Sequence, residues 1–228
     1  MFIITIFIIL IFVIFIFLKK FFSKNTKIII LTGAIGVGKT TFTKNLKEYL
    51  NKKEKSVYIF EETSLEIKPA LDIFYNNMEK HALFMQTYII LYFEKQLQKI
   101  QKNMQKYDVI IFDRTHLDTK IFTKSNIKNE DEINFLNKLC DSVQLPFELT
   151  SSNTIVIYFK PNFEKMIKRQ KNRDRDGEKC NEEYLKKIYK SYNEMISEIY
   201  PSHISFENND NILYNNQFIN EKLENRLN

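Results

Sequence analysis

Short runs of β-branched and aromatic residues alternate along the chain with longer stretches in which apolar residues recur every three or four positions. The short runs are typical of buried strands, and the longer stretches are typical of amphipathic helices. The predicted strands are Lys27–Leu31, Ser56–Phe60, Asp108–Phe112, Thr154–Phe159 and Asn211–Tyr214. Enough chain for at least one helix separates each strand from the next. The pattern therefore predicts an α/β fold with a parallel five-stranded sheet and helices on both faces.

The N-terminal run has a different pattern, because residues 1–18 contain no charge and two lysines follow them. A helix of this length is about 27 Å long, close to the roughly 30 Å of a hydrocarbon core. The run lacks the basic start and the small-residue cleavage site of a signal peptide. We therefore expect residues 1–22 to be a membrane anchor, a transmembrane helix preceding a domain of residues 23–228. The alternative is a true start downstream of this run.

The lysines that follow the apolar run also predict an orientation. Positive residues next to a membrane span favour the cytoplasmic side. We therefore expect a single-pass membrane protein whose larger domain faces the cytoplasm.

The composition indicates one core and a modest positive charge. The 228 residues are 44% hydrophobic, and their net charge is +6 at pH 7. This charge suits an anionic small molecule and does not by itself argue for nucleic acid, so we expect no nucleic-acid partner. Cys140 and Cys180 match no metal-binding spacing.

The segment LTGAIGVGKTTF follows the first predicted strand and has the pattern G-x-x-x-x-G-K-T. Glycines in such a loop let successive N–H groups point at phosphate oxygens, and the following helix adds the positive end of its dipole. Lys39 would reach the terminal phosphates, and the Thr40 hydroxyl would ligate Mg²⁺. We assign nucleotide binding to Gly33, Gly36, Gly38, Lys39, Thr40 and Thr41. The segment therefore predicts a fold of the P-loop NTPase type.

Acidic residues follow the second and third predicted strands, at the ends where ligands gather in parallel sheets. Glu61 and Glu62 follow the second strand, and Asp113 and Arg114 follow the third. Asp113 is placed to hold Mg²⁺, and Arg114 can reach a phosphate or a hydroxyl that is being phosphorylated. Together with the phosphate loop, these positions indicate phosphoryl transfer.

Further segments make the sequence similar to the deoxyribonucleoside kinase family over residues 26–220. Besides the phosphate loop, the resemblance rests on four segments, IFEET, FYNNMEKHALFMQTY, FDRTHLD and RQKNRDRDGE. The family's Glu-Pro pair is replaced here by Glu61-Glu62, which leaves open which glutamate matches. The third segment has Asp113 for the usual glutamate and Thr115 for the usual serine. The resemblance implies transfer of the γ-phosphate of ATP to the 5′-hydroxyl of a deoxyribonucleoside, with ATP and Mg²⁺ as cofactors.

The resemblance also implies roles for residues of the acceptor site. Glu61, or Glu62 beside it, takes the place of the glutamate that accepts the proton of the 5′-hydroxyl. Tyr75 and Glu178 match residues that hold the sugar, and Gln86 matches the glutamine that reads the base.

Arginines of the basic segment match the lid of the family. Arg169, Arg173 and Arg175 fall on positions that close over the donor phosphates and stabilise charge during transfer. Lys39 and Arg114 complete the catalytic set with the glutamate. We also expect a homodimer.

The predicted base preference depends on Phe93, seven residues after Gln86. Deoxycytidine and purine kinases of the family carry an arginine there, paired with an aspartate at the place of Asp118 or Thr119. An aspartate facing the base without that arginine would be a costly unpaired charge, so we expect Asp118 to face elsewhere. With Phe93 packed on the ring, the pocket predicts pyrimidines, thymidine first and deoxycytidine second.

Two alternatives belong to other functional classes. A thymidylate kinase-like monophosphate kinase would share the phosphate loop, but Tyr75 and Gln86 have no role in one. A membrane-tethered GTP-binding switch would need a guanine-reading N-K-x-D, and the segment NKLCD at Asn137–Asp141 is one residue too long.

Overall fold

The computed structural model describes residues 25–61, 66–171, 182–208 and 212–227. Its strands are β1 (Lys27–Thr32), β2 (Val57–Phe60), β3 (Val109–Asp113), β4 (Thr154–Phe159) and β5 (Ile204–Phe206). They form one sheet in the order β2-β3-β1-β4-β5, and every neighbouring pair is parallel. This arrangement confirms the predicted α/β fold with a parallel five-stranded sheet.

The central strand explains why the sheet is stable. Ile28, Ile29, Ile30 and Leu31 of β1 are all buried. Successive side chains of a strand point to opposite faces, so burial of four in a row means that both faces of the sheet are covered. The apolar runs of the sequence therefore correspond to buried strands of the sheet.

Helices connect the strands. In the described part of the chain they are α1 (Lys39–Lys52), α2 (Lys68–Asn76), α3 (Met78–Gln101), α4 (Asp118–Asn126), α5 (Glu130–Ser142), α6 (Phe163–Lys171), α7 (Glu182–Ile199), α8 (Ile212–Phe218) and α9 (Glu224–Leu227). A 3₁₀ turn at Met104–Lys106 follows α3, and π-helical Ile219–Leu223 joins α8 to α9.

The fifth strand differs from the prediction. We predicted Asn211–Tyr214, whereas the strand is Ile204–Phe206 and a helix begins at Ile212. Phe206 is buried and packs against Phe218, with ring centroids 4.4 Å apart. A three-residue strand is too short to show a period-two pattern, so tertiary packing of the aromatic side chains decides its place.

The predicted membrane localisation is contradicted. Among the described residues, no helix is long and apolar enough to cross a bilayer. Even the 24-residue α3 carries five charged residues, because only one of its faces packs into the core. We therefore do not retain the single-pass localisation. The predicted anchor, residues 1–22, lies outside the described residues, and the domain boundary at residue 23 stays a prediction.

His116 is a buried side chain next to the carboxyl end of β3. It is 1% exposed, and burial lowers the pKa of its imidazole from 6.5 to about 4. It does not line the cavity described below. Its backbone carbonyl accepts a bond from the Cys140 thiol at 3.4 Å, which ties α5 to the loop after β3. These contacts give His116 a structural role.

We expect His116 to make folding sensitive to acid. Below pH 6.5 the His116 imidazole is protonated in the unfolded chain, whereas in the folded chain it stays neutral until about pH 4. The free energy of unfolding therefore falls as the pH is lowered across this window. The slope contributed is on the order of 1 kcal/mol per pH unit. Urea unfolding of the wild type and of His116→Gln between pH 7 and 4 should show a shallower decline in the variant. An equal slope in both proteins would contradict this assignment.

Candidate active site

A cavity of about 490 Å³ opens at the carboxyl edge of the sheet. The register explains its position, because Leu31 of β1 lies beside Asp113 of β3 and both strands end there. The predicted site residues that line it are Gly36, Gly38, Lys39, Thr40, Thr41, Tyr75, Gln86, Asp113, Arg114 and Arg169. The fold therefore brings the phosphate loop and two of the predicted acceptor residues, Tyr75 and Gln86, into one cavity.

The phosphate loop needs glycine where its backbone is left-handed. Gly33 has a φ of 144°, and an added Cβ would lie 2.8 Å from the Phe159 carbonyl oxygen. Gly38 has a φ of 97° and precedes α1 with no side-chain cap. The first N–H groups of α1 have no intrahelical partner, and the start of this helix lies on the cavity. This is the geometry of an anion-binding helix start.

Lys39 is buried and bonded to the loop itself. Its Nζ donates to the carbonyl oxygens of Gly33 at 3.0 Å and Ala34 at 3.2 Å. The Oδ1 atom of Asp113 lies 3.9 Å from the same nitrogen. The ammonium is thus already held at the cavity where a phosphate would contact it.

Asp113 and Thr40 fit a magnesium ion. The Oδ1 atom of Asp113 is buried and has no hydrogen-bond partner within the described residues. Thr40 follows Lys39 and lines the same cavity. No group of three His, Cys, Asp or Glu side chains that could hold a metal occurs in the described ranges. Mg²⁺ bound to a nucleotide needs only one or two carboxylates, because phosphates and water supply its other ligands.

Arg114 follows Asp113 with an unusual backbone conformation. Its φ is 67°, and the residue is 5% exposed. Its Nη2 donates to the Gly33 carbonyl oxygen at 2.8 Å, and its Nε lies 3.1 Å from the Tyr192 hydroxyl. The Gly33 carbonyl therefore accepts hydrogen bonds from both Lys39 and Arg114. The sequence did not predict Tyr192 as a site residue, because no motif surrounds it.

Arg169, the first residue of the basic segment, contacts the phosphate loop. Its Nη1 donates to the Gly36 carbonyl oxygen at 3.1 Å. Asn208, after β5, donates from its side chain to the Val37 carbonyl oxygen at 3.0 Å. Asn208 was also missed, since a lone asparagine after a three-residue strand carries no sequence signal. Arg173, Arg175 and Glu178 lie outside the described residues.

Tyr75 and Gln86 line the part of the cavity formed by α2 and α3. Tyr75 is half-buried near the end of α2. Gln86 is 4% exposed, and Met85 and Ile89 beside it also line the cavity. A carboxamide in an apolar wall offers one donor and one acceptor to a planar ligand.

The structure corrects the residue on which the pyrimidine preference rested. Phe93 is buried in the core and stacks on Phe60, with ring centroids 5.1 Å apart, and it is not part of the cavity lining. Position 93 is seven residues after Gln86, but the helix turns it toward the sheet. Ile89, one turn after Gln86, lines the cavity instead. Asp118 also lines the cavity, where its carboxylate accepts from three hydroxyl groups and from the Thr115 backbone N–H, and the expectation that it faces away from a base stays a prediction.

Glu61 lies directly after β2 and is exposed. It is not among the residues that line the cavity. Glu62 lies outside the described residues, so the choice between the two glutamates stays a prediction.

A parallel sheet, a phosphate loop and an Asp-Arg pair at the next strand end define a P-loop phosphotransferase. A family model described as deoxynucleoside kinase matches residues 29–228, and the chain belongs to this family. The protein is accordingly an ATP-dependent phosphotransferase, as predicted. The family match decides against the monophosphate kinase and the GTP-binding switch.

The chain is similar to curated and solved proteins of this family. A deoxyadenosine kinase from Lactobacillus acidophilus is 24% identical over 177 residues, 73% of this chain and 78% of the relative. A deoxyguanosine kinase from the same organism is 26% identical over 176 residues, 72% and 73% of the two chains. The structure of deoxyadenosine kinase from M. mycoides with bound dATP has a TM-score of 0.71 and 28% identity, covering 86% of this chain and 98% of that chain. A structure of the same enzyme with bound dCTP has a TM-score of 0.70 and 26% identity.

Lys39 provides the most direct test of the phosphate loop. We expect Lys39→Ala to lower kcat by roughly 10²-fold or more, because an ammonium that stabilises charge in transfer is lost. Lys44→Ala is the matched control, since Lys44 is an exposed lysine on the same helix. Initial rates of monophosphate formation and melting temperatures should be measured for both. Equal rates in the two variants would contradict the role of Lys39.

Proposed function

We propose that this protein transfers the γ-phosphate of ATP to the 5′-hydroxyl of a deoxyribonucleoside. The observation that carries the proposal is that one cavity joins the phosphate loop to the buried carboxamide of Gln86 and to Tyr75. The first half suits a nucleotide triphosphate, and the second suits a nucleoside. Such a cavity holds donor and acceptor in line, which is most of what phosphoryl transfer requires.

Cationic side chains form the phosphate end of this cavity. Lys39, Arg114 and Arg169 converge on carbonyl oxygens of the phosphate loop. A triphosphate bound beside these three side chains would have all three cations around the transferred group. Asp113 and Thr40 would hold Mg²⁺, which when bound shields the charge of the phosphates. Arg173 and Arg175 are proposed to close over the donor from the lid.

A carboxylate after β2 is proposed as the proton acceptor. The 5′-hydroxyl has a high pKa, so its proton must leave as the new P–O bond forms. Glu61 follows Phe60 at the end of β2, on the carboxyl edge of the sheet where the cavity opens. Tyr75 and Glu178 are proposed to hold the sugar.

Gln86 is proposed to read the base. Adenine and cytosine each present an amino donor beside a ring-nitrogen acceptor, and one carboxamide orientation pairs with both. The relatives are named deoxyadenosine and deoxyguanosine kinases, and one related structure holds dATP. These names and the position of Phe93 in the core favour a purine over thymine. We therefore propose deoxyadenosine as the preferred substrate in place of thymidine.

A homodimer, expected from the sequence, is retained as a proposal. Phe84 and Leu91 are 42% and 49% exposed and lie seven residues apart on α3. Phe135 on α5, which packs against α3, is 51% exposed. Exposed large apolar side chains on these two contacting helices support the proposal of an interaction surface there.

Comparison of the four deoxynucleosides tests the proposed function. With ATP and Mg²⁺, we expect each accepted deoxynucleoside to give its 5′-monophosphate, and kcat/KM for deoxyadenosine to exceed that for thymidine by at least about tenfold, a difference of about 1.4 kcal/mol. Separation of labelled products by chromatography measures both quantities. Thymidine ahead of deoxyadenosine would reject the base assignment, and no monophosphate from any of the four would reject the reaction.

The two adjacent glutamates allow a matched test of the proton acceptor. We expect Glu61→Gln to lower kcat by roughly 10²- to 10⁴-fold, because the amide cannot accept the proton. Glu62→Gln, which leaves the carboxylate of Glu61 unchanged, should retain kcat within about threefold. The reverse result would assign the proton acceptor to Glu62.

A further inference from the structure

Asp118 is a buried carboxylate surrounded by hydrogen-bond donors. It is 2% exposed. Its Oδ1 atom accepts from Thr32 Oγ1 and from the Tyr192 hydroxyl at 2.9 Å. Its Oδ2 atom accepts from the Tyr200 hydroxyl at 2.7 Å and from the Thr115 backbone N–H at 3.1 Å. A carboxylate has about four acceptor sites, and these four donors occupy them, which favours another role than base reading.

The proton of Tyr192 fixes the direction of this network. A phenol has one proton, and a carboxylate can only accept, so the Tyr192 hydroxyl donates to Asp118. The lone pairs of Tyr192 are then left to accept the Nε–H of Arg114, which lies 3.1 Å away. A hydroxyl that donates to a carboxylate becomes a better acceptor. Asp118 and Arg114 are thus linked through the Tyr192 hydroxyl.

The guanidinium of Arg114 is held from two sides. Its Nη2 and Nε both donate to the Gly33 carbonyl oxygen, at 2.8 and 3.2 Å, and this oxygen also accepts from Lys39. A phosphate at the loop competes with Gly33 for these donors, because charged acceptors form stronger bonds than carbonyls. The Nε–H is shared between the Gly33 carbonyl oxygen at 3.2 Å and the Tyr192 hydroxyl at 3.1 Å, and Tyr192 belongs to α7 and not to the phosphate loop. Tyr192 can therefore keep the guanidinium in place when Gly33 no longer does.

The backbone conformation of Arg114 explains why a contact with Tyr192 would help to position its side chain. Arg114 N donates to the Leu31 carbonyl oxygen at 2.9 Å, in a left-handed conformation that costs energy for any residue with a Cβ. This conformation aims the side chain across the end of β1. The arginine side chain is long, so a fixed backbone alone does not fix the orientation of its guanidinium group. A second contact is needed to keep the guanidinium in the geometry that phosphoryl transfer requires.

We infer that Asp118 and Tyr192 are positioning residues for the transfer step, and that they hold the Nε–H of Arg114 so that its other donors meet the transferred phosphate. The inference rests on the proposed function, in which Arg114 contacts that phosphate. Asp118 accordingly acts on the rate of transfer, through Tyr192 and Arg114.

Two tyrosines of the network provide a matched pair of variants. Tyr192 and Tyr200 are 0% and 1% exposed, and each donates one hydrogen bond to Asp118. The Tyr192 hydroxyl lies 3.1 Å from Arg114 Nε, whereas the Tyr200 hydroxyl lies 2.7 Å from Thr115 Oγ1. Replacement of either tyrosine by phenylalanine removes one buried hydroxyl, so the melting temperatures of the two variants should fall by similar amounts.

The test measures kcat and KM with deoxyadenosine and ATP for both variants. We expect Tyr192→Phe to lower kcat by about tenfold or more, as loss of a hydrogen bond to a charged group does, with both KM values within about threefold. Tyr200→Phe should change kcat by less than about threefold, since a remote hydroxyl makes no contact in the transition state. Equal losses of kcat in the two variants, or an effect of Tyr192→Phe on KM alone, would overturn the inference.

A double-mutant cycle separates this inference from the proposed function. Arg114→Lys removes the Nε–H that contacts Tyr192. In that background Tyr192→Phe should lower kcat by less than about twofold further, because the effects of two substitutions on one shared interaction do not add. If Arg114→Lys lowers kcat and Tyr192→Phe in the wild type does not, the positioning role fails and the proposed function stands. If Arg114→Lys leaves kcat unchanged, Arg114 has no role in transfer and the inference fails while the proposed function stands, whereas wild-type protein that makes no monophosphate would overturn the proposed function. Should Tyr192→Phe not fold, Asp118→Asn replaces it, and wild-type kcat in that variant would overturn the inference.

Discussion

The carbonyl oxygen of Gly33 is the point on which the site depends. It accepts hydrogen bonds from Lys39 at 3.0 Å and from Arg114 at 2.8 Å, so two cations meet at one backbone atom. Only a residue without a Cβ can occupy this position, because the Phe159 carbonyl lies against it. The two cations repel each other, and the arrangement is held by neutral carbonyls and by the nearby carboxylate of Asp113. A phosphate group placed there satisfies both.

The sheet explains how residues far apart in sequence reach this point. Strands β1 and β3 end side by side, so the loop after one meets the Asp-Arg pair after the other. Helix α7 then packs against α4 and brings Tyr192 to Asp118 and Arg114. The rigid core of the sheet fixes these ends, and the functional side chains need only short loops to face one cavity.

The sequence predicted the features that depend on local pattern. The glycines and lysine of the phosphate loop, the parallel sheet and the cavity positions of Tyr75 and Gln86 follow from spacing or from the family resemblance. Phe93 was placed wrongly because a count along a helix does not say which face packs on the sheet. The fifth strand was placed wrongly because three residues carry no period. Tyr192 and Tyr200 were missed because their role arises only when α7 folds over Asp118.

A crystal structure of the full chain with a non-hydrolysable ATP analogue, Mg²⁺ and deoxyadenosine tests the central claim most directly. The account predicts that Lys39 Nζ and Arg114 Nη2 exchange the Gly33 carbonyl for phosphate oxygens, while Arg114 Nε stays on Tyr192 and the base lies against Gln86. A nucleotide bound away from the phosphate loop would contradict the account. So would a complex in which both cations remain on the Gly33 carbonyl with the phosphates out of their reach.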